Sequence, residues 1–255
     1  MLTVNAASGF GSGGGAGGVE SVHFDGTNDY LHRGAGLTGA ADNKVGLFSW
    51  WLNIKGGDGT NRQLIASTQT TFHCQIRSTN QIRVNLVNTG VTVNIWLVTS
   101  GDTFEAADGW KHFLCSVDAA TSTGYMYISD AGTVNDVADT MSGESYSDQT
   151  GNWTVADWAV GSNCDTPGQG AIHADVAELY FTNEFLDLSV EANRRKFIGA
   201  DGKPVDLGDD GSEPTGTAPL VYLKNPLETW HINAGSGGGF TESGELTAGT
   251  DSPSD

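Results

Sequence analysis

Basic residues are scarce in this 255-residue chain: 12 Lys and Arg stand against 31 Asp and Glu, a formal charge of −19. Nucleic acid and anionic membrane, both polyanions, are therefore not expected as partners. No run of 18 apolar residues occurs, so no helical membrane span is expected. The opening stretch MLTVNAASGFGSGGG has no basic n-region and no long apolar core, and it does not read as a secretory signal. Cysteine is limited to Cys74, Cys115 and Cys164, an odd number without a C-x-x-C pair, which argues against a structural zinc site. Cys74 and Cys115 sit in apolar runs, and all three thiols are expected to be reduced and buried. Also missing are a G-x-S-x-G elbow, a phosphate-binding loop and a dinucleotide glycine fingerprint, while the six histidines are scattered singly. Nucleophilic and nucleotide chemistry have little to stand on.

Glycine, by contrast, is abundant, with 36 residues. The densest tract, Gly9 to Gly18, has almost no side chain to pack and reads as an N-terminal arm over 1–18, either a flexible leader or a segment fastened where chains meet. From Val19 onward short apolar or alternating runs follow one another: VESVHF, VGLFSWWLNI, QLIAS, FHCQIR, IRVNLV, NIWLVTS, WKHFLCSVD, GYMYIS, WTVADWAVG and IHADVAELYF. Turn clusters such as DGTND, GGDGTN and DAATSTG separate them. Some ten strands with no helices between them predict an antiparallel all-β sandwich over 19–187 rather than a βαβ fold. In FSWWLNI both faces carry bulk, which predicts a central strand.

One helix is expected over 188–199, with Ser189 as its N-cap and the basic run Arg194, Arg195 and Lys196 in its later turns. Those charges are expected to be solvated, the alternative being a docking face for an acidic neighbour. Residues 200–255 form an acidic extension in which only APLVYLK reads as a further strand. Too few apolar residues are present for a separate core, so the extension is expected to complete the sandwich and then run along its surface as a C-terminal arm.

Four motifs in order carry a family resemblance. FDGTNDYL (Phe24–Leu31) and FSWWLNI (Phe48–Ile54) resemble the opening strands of laminin-G-like, concanavalin A-like jelly rolls. The hairpin WKHFLCSVD with GYMYISD, and the pair VGSNCD with IHADVAELYFTNEFL, resemble the central and closing strands of that family. The segment after the helix resembles the C-terminal ending of jelly-roll proteins of tailed phages. The resemblance implies a concanavalin A-like jelly roll, a non-enzymatic virion protein (capsid decoration, head fibre or tail adhesin) and a location on the particle after synthesis in the host cytoplasm. Other virion proteins, a homo-oligomer such as a trimer, and host-surface or environmental glycans are the partners it implies. A free carbohydrate-binding module, or a glycoside hydrolase-like protein of the laminarinase fold, is the alternative.

Candidate sites follow from the same residues. Trp96, Trp153 and Trp158, with Asn163 and Asp165, are candidates for carbohydrate binding, because sugar C–H faces stack on aromatic rings while amides and carboxylates read hydroxyls. Trp230 also lies outside the four motifs, and one exposed ring among these is expected. Asp25, Asn28 and Asp29 are hard oxygen donors suited to Ca²⁺, with Asn163 and Asp165 as a second such group. His173-x-Asp175-x-x-Glu178 resembles the catalytic strand of laminarinase-type enzymes, but a histidine stands at the nucleophile position. A regular strand would also place Asp175 and Glu178 on opposite faces unless a bulge intervenes, so no catalytic residue is assigned.

Overall fold

The computed structural model describes residues 20–68, 71–88, 93–99 and 101–255, so the expected 1–18 arm lies outside the described residues. In chain order the strands are β1 (Val22–Asp25), β2 (Tyr30–Arg33), β3 (Val45–Ile54), β4 (Arg62–Ser67), β5 (Phe72–Ile76), β6 (Ile82–Val87) and β7 (Val93–Thr99). They continue as β8 (Trp110–Asp118), β9 (Thr123–Asp130), β10 (Met141–Tyr146), β11 (Trp158–Val160), β12 (His173–Thr182), β13 (Val221–Leu223), β14 (Thr241–Ser243) and β15 (Thr247–Ala248). All pair antiparallel, in two sheets. One sheet runs β15-β1-β12-β3-β8-β9 with β13 added on β12; the other runs β10-β7-β6-β5-β4-β11-β2-β14. The expected all-β sandwich is the observed fold.

Alternation decides which side chains meet between the sheets. Phe48, Trp50, Leu52 and Ile54 of β3 point inward with Phe113, Cys115 and Val117 of β8. They meet Phe72, Cys74 and Ile76 of β5 and Ile82, Val84 and Leu86 of β6. Near the centre the rings of Phe48, Phe72 and Phe181 lie nearly parallel in a trio, with centroids 5.3, 5.2 and 5.6 Å apart. Trp153 and Trp158 close over the same cluster.

The β3 sheet is covered on its outer side as well, which is why β3 carries bulk on both faces and lies between β12 and β8. Leu47, Leu114, Tyr127 and Tyr180 pack under Leu188, Phe197, Leu207 and Tyr222 from the C-terminal region, while Trp51, Trp110 and Ala177 pack under Ile198. His112 lies in this layer, stacked on Trp51 at 4.7 Å with Ser49 Oγ 2.9 Å from its Nε2.

The helix is shorter than the sequence pattern predicts: α1 spans Glu191–Arg194, and the chain continues through Lys196 and Phe197 as turns. Ser189 is not its cap. Val190 holds that position without a side-chain bond, while Ser189 donates to the Asp187 carboxylate. Nor are the basic residues solvated. The Arg194 guanidinium is buried, donating to the carbonyls of Leu188 and Ser189 and to Asp136, and lies 4.7 Å from the centre of the Tyr127 ring. Arg195 also pairs with Asp136, and Lys196 donates to the Pro214 carbonyl. These charges tie the 131–140 loop and the C-terminal region to the sandwich, which leaves none of them to dock an acidic partner.

The acidic extension supplies edge strands rather than a free arm. β13 pairs with β12, β14 with β2, and β15 with β1. Both sheets therefore end on residues of the extension.

Candidate binding face

With the outer side of the β3 sheet covered, the outer side of the other sheet is the surface left for a ligand. Registers align its outward side chains into rows across the strands. One row reads Ser145, Trp96, Asn85, His73, Ala66, Ala159 and His32. The next reads Gly143, Val98, Arg83, Gln75 and Gln63. Cys164, in the loop after β11, packs on Ala66 and Ala159 and covers the β4–β11 part of the face. The β5–β7 part carries polar side chains, of which His73, Gln75 and Asn85 are buried while Arg83 and Trp96 are half-buried.

Trp96 stands at the centre of this part. Six of the seven tryptophans are buried, and Trp96 is the half-buried one. Arg83 lies over its ring at 4.6 Å and donates from Nη2 to His73 Nε2 at 2.6 Å. Gln63 donates to Gln75 at 3.1 Å. Arg83 Nε and Asn85 Oδ1 are buried and make no hydrogen bond among the described residues. Burial first, then the like charge of Arg77, holds the Arg83 guanidinium below its ordinary pKa. A half-exposed ring beside amides and a guanidinium on a rigid sheet is suited to a flat polar ligand with an apolar face.

The other sequence candidates fall elsewhere. Trp153 and Trp158 are fully buried in the sandwich core, where neither offers a face to solvent; Trp153 donates from Nε1 to Asn43 at 2.9 Å. Trp230 is buried too, edge-on to Phe24. Size explains the reversal, because each ring fills core volume whenever its strand position points inward. Asn163 and Asp165 shape the loop after β11: the Asn163 side chain accepts the Asp165 amide, and Asp165 accepts the Thr68 hydroxyl at 2.8 Å.

Asp25 and Asp29 spend their oxygens on backbone. Asp25 Oδ1 accepts the amides of Thr27, Asn28 and Asp29, while Asp29 accepts those of Asp25 and Glu245. These amides hold the Asp25 carboxyl below its ordinary pKa against the opposing effect of its slight burial. Asn28 contributes its backbone to that turn. Gly26 completes it at φ +75°, where a Cβ would lie 2.7 Å from that of His173. The loop is a self-capped turn, a role for which Asp and Asn are chosen on local grounds. Among the described residues no cluster of three or more His, Cys, Asp or Glu is arranged to hold a metal.

A bulge does intervene in β12, between Ala177 and Tyr180, with Glu178 at φ +48°. It turns Glu178 to the outer side of its sheet, the side that carries Asp175, yet the two carboxylates have separate duties. Asp175 is fully buried. It accepts His23 Nδ1 at 2.6 Å, Lys55 Nζ at 3.1 Å, and the amide and hydroxyl of Thr250 at 3.2 and 3.1 Å. Glu178 accepts the Tyr222 hydroxyl at 3.1 Å. Both lie beneath the C-terminal region, out of reach of a polysaccharide.

Burial pushes the Glu178 carboxyl up to about 7 and the His112 imidazole down to about 3. The two act on stability with opposite signs. Folding raises the pKa of Glu178, so its contribution falls as pH rises from about 4.5 to 7. Folding lowers that of His112, so its contribution rises with pH from about 3 to 6.5. Glu178→Gln removes the first of these effects and leaves the second. The stability gained over the native chain should grow by about 2 kcal/mol between pH 5 and 7. Urea midpoints at the two pH values measure this, and a pH-independent difference would refute it.

The sequence matches no protein-family model and no curated protein. Solved structures do match. A heptameric pentraxin of the serum amyloid P type from Limulus polyphemus superposes with a TM-score of 0.53 at 11% identity, covering 91% of this chain and 94% of that one. A Bacteroides ovatus protein, provisionally described as carbohydrate-binding, gives 0.51 at 12% identity over 91% of this chain and 60% of its own. Domains LG4-5 of the mouse laminin α1 chain give 0.41 at 11% identity, over 74% of this chain and 47% of theirs. The fold is an antiparallel jelly-roll sandwich shared with the pentraxin and the Bacteroides ovatus protein. At such identities the likeness is one of architecture. The outer face of the second sheet, with Trp96 and Arg83, was not marked in the sequence beyond Trp96 itself. The signal was present in the alternation of FHCQI, IRVNLV and NIWLV, where His73, Gln75, Arg83, Asn85 and Trp96 occupy every second position.

Proposed function

We propose that this chain is a non-catalytic glycan-binding jelly roll whose contact surface is the outer face of β5, β6 and β7. The observation that carries the reading is Trp96, half-buried on a polar sheet face while every other tryptophan is buried. The fold shared with the Bacteroides ovatus protein supports the same ligand class. The non-catalytic part is supported by Asp175 and Glu178, which are committed to internal partners.

The test is affinity electrophoresis through gels carrying dextran, β-glucan or polygalacturonate. At least one polysaccharide should retard the native chain, and Trp96→Ala should weaken that binding tenfold or more, about 1.4 kcal/mol. Unchanged retardation of the variant would overturn the assignment of this face. Release of reducing ends from β-glucan, abolished in Glu178→Gln, would overturn the non-catalytic reading.

Display on a tailed-phage particle within an oligomer is the placement favoured by the C-terminal resemblance. Order in that region has a cause inside the fold, because β13, β14 and β15 pair within the chain. The resemblance alone therefore supports the placement, and a monomeric mass under native conditions counts against it.

A further inference from the structure

Among the described residues, six of the twelve basic side chains form ion pairs with carboxylates: Lys44, Lys55, Arg62, Lys111, Arg194 and Arg195. Arg83 is different. Its contacts are a histidine nitrogen and an indole ring, and its Nε is buried without an acceptor. Arg62, the buried arginine of this sheet, feels Asp58 and Glu105; the charged neighbour felt most by Arg83 is Arg77, a second cation. Among the described residues no carboxylate pairs with the Arg83 guanidinium.

We propose that the face selects anionic glycans, with Arg83 as the hydrogen-bond donor to a sugar carboxylate or sulfate. The proposal rests on the glycan-binding reading and names the ligand class. A guanidinium presents paired N–H donors that match the two oxygens of such a group. Stacking on Trp96 fixes the plane of the fork before the ligand arrives, which lowers the ordering cost of binding. His73, accepting from Nη2, orients the same group from the other side. Arg77 adds attraction without a contact of its own. The net charge of −19 repels polyanions in general, so retention of an acidic polymer requires a local cationic point of this kind.

Affinity electrophoresis at fixed ionic strength against polygalacturonate, dextran sulfate and neutral dextran tests the proposal. The native chain should bind one acidic polymer at least tenfold more tightly than dextran, and the two acidic arms distinguish carboxylate from sulfate. Arg83→Gln should remove that preference. Arg77→Gln, which leaves the Trp96 stack intact, should reduce it two- to fivefold, and unchanged thermal midpoints show that both variants are folded. Equal binding of dextran and the acidic polymers, or a preference that survives in Arg83→Gln, overturns the inference while leaving a glycan-binding face in place. No retardation by any polysaccharide overturns both.

Discussion

Replacing Asp175 by Ala is expected to cost about 3–5 kcal/mol of folding stability, the range seen when one partner of a buried charge pair is removed. Asp175 is fully buried on β12, directly opposite His23 of β1, and a single carboxylate serves His23, Lys55 and Thr250. Its loss leaves Lys55 and His23 without their shared acceptor and loosens the segment after β15. That segment is also held by Trp110 and Asn53 donating to Asp251 at 2.7 and 3.3 Å, by Ser21 Oγ donating to the Asp251 carbonyl, by Lys203 donating to the Ser254 carbonyl and by Gly249 donating to the Ser21 carbonyl. Asp175→Asn keeps the volume and loses the charge, so it should fall between the two. Urea unfolding measures the cost, and hydrogen exchange should quicken in 247–255 before the rest of the sheet. A loss under about 1 kcal/mol would mean that the carboxylate contributes no net stabilisation.

Arg62→Met is expected to have a comparable effect by a different route. Arg62 is 1% exposed and donates to the carbonyls of Gly56 and Phe104, to Asp58 and to Asn80. One guanidinium thus fastens the 55–61, 77–81 and 102–105 loops at one end of the sandwich. Methionine fills similar space but removes the Arg62 donor from the carbonyls of Gly56 and Phe104, each costing about 1–3 kcal/mol where water is excluded, and leaves Asn80 Oδ1 only the Gly59 amide. The expected total is about 3–5 kcal/mol, with protection from exchange lost first in those loops. A variant within about 1 kcal/mol of the native chain would show that water replaces the guanidinium without penalty.

Most of the sandwich was legible because its strands obey one rule. FSWWLNI carries bulk for two covered faces, which places β3 inside a sheet, and WKHFLCSVD alternates an apolar face with a mixed one beside it. What escaped was anything set by contacts remote in the chain. The basic run after Leu188 looks like the end of a solvated helix until Asp136 is seen to fasten Arg194 and Arg195. Trp153 and Trp158 have the composition of a sugar platform, but a ring's duty depends on which way its strand position faces. Glu178 is the sharpest case. Its face is decided by one irregular residue in β12, and no spacing rule announces a bulge. Arg83 escaped for the opposite reason, because its meaning lies in the carboxylate that is missing from its side.

The pairing of β1 has a further consequence for how the chain is made. Val22 is flanked by Val176 on one side and Ala248 on the other, and Leu31 of β2 by Val160 and Glu242. During vectorial synthesis the first two strands therefore emerge long before any neighbour, and their outer edges stay open until β14 and β15 have left the ribosome. Contacts this distant make closure slow, and exposed strand edges are where nascent chains adhere to one another. Truncation before Thr241 removes only a small part of the mass, yet it returns both sheets to that sticky, half-finished state.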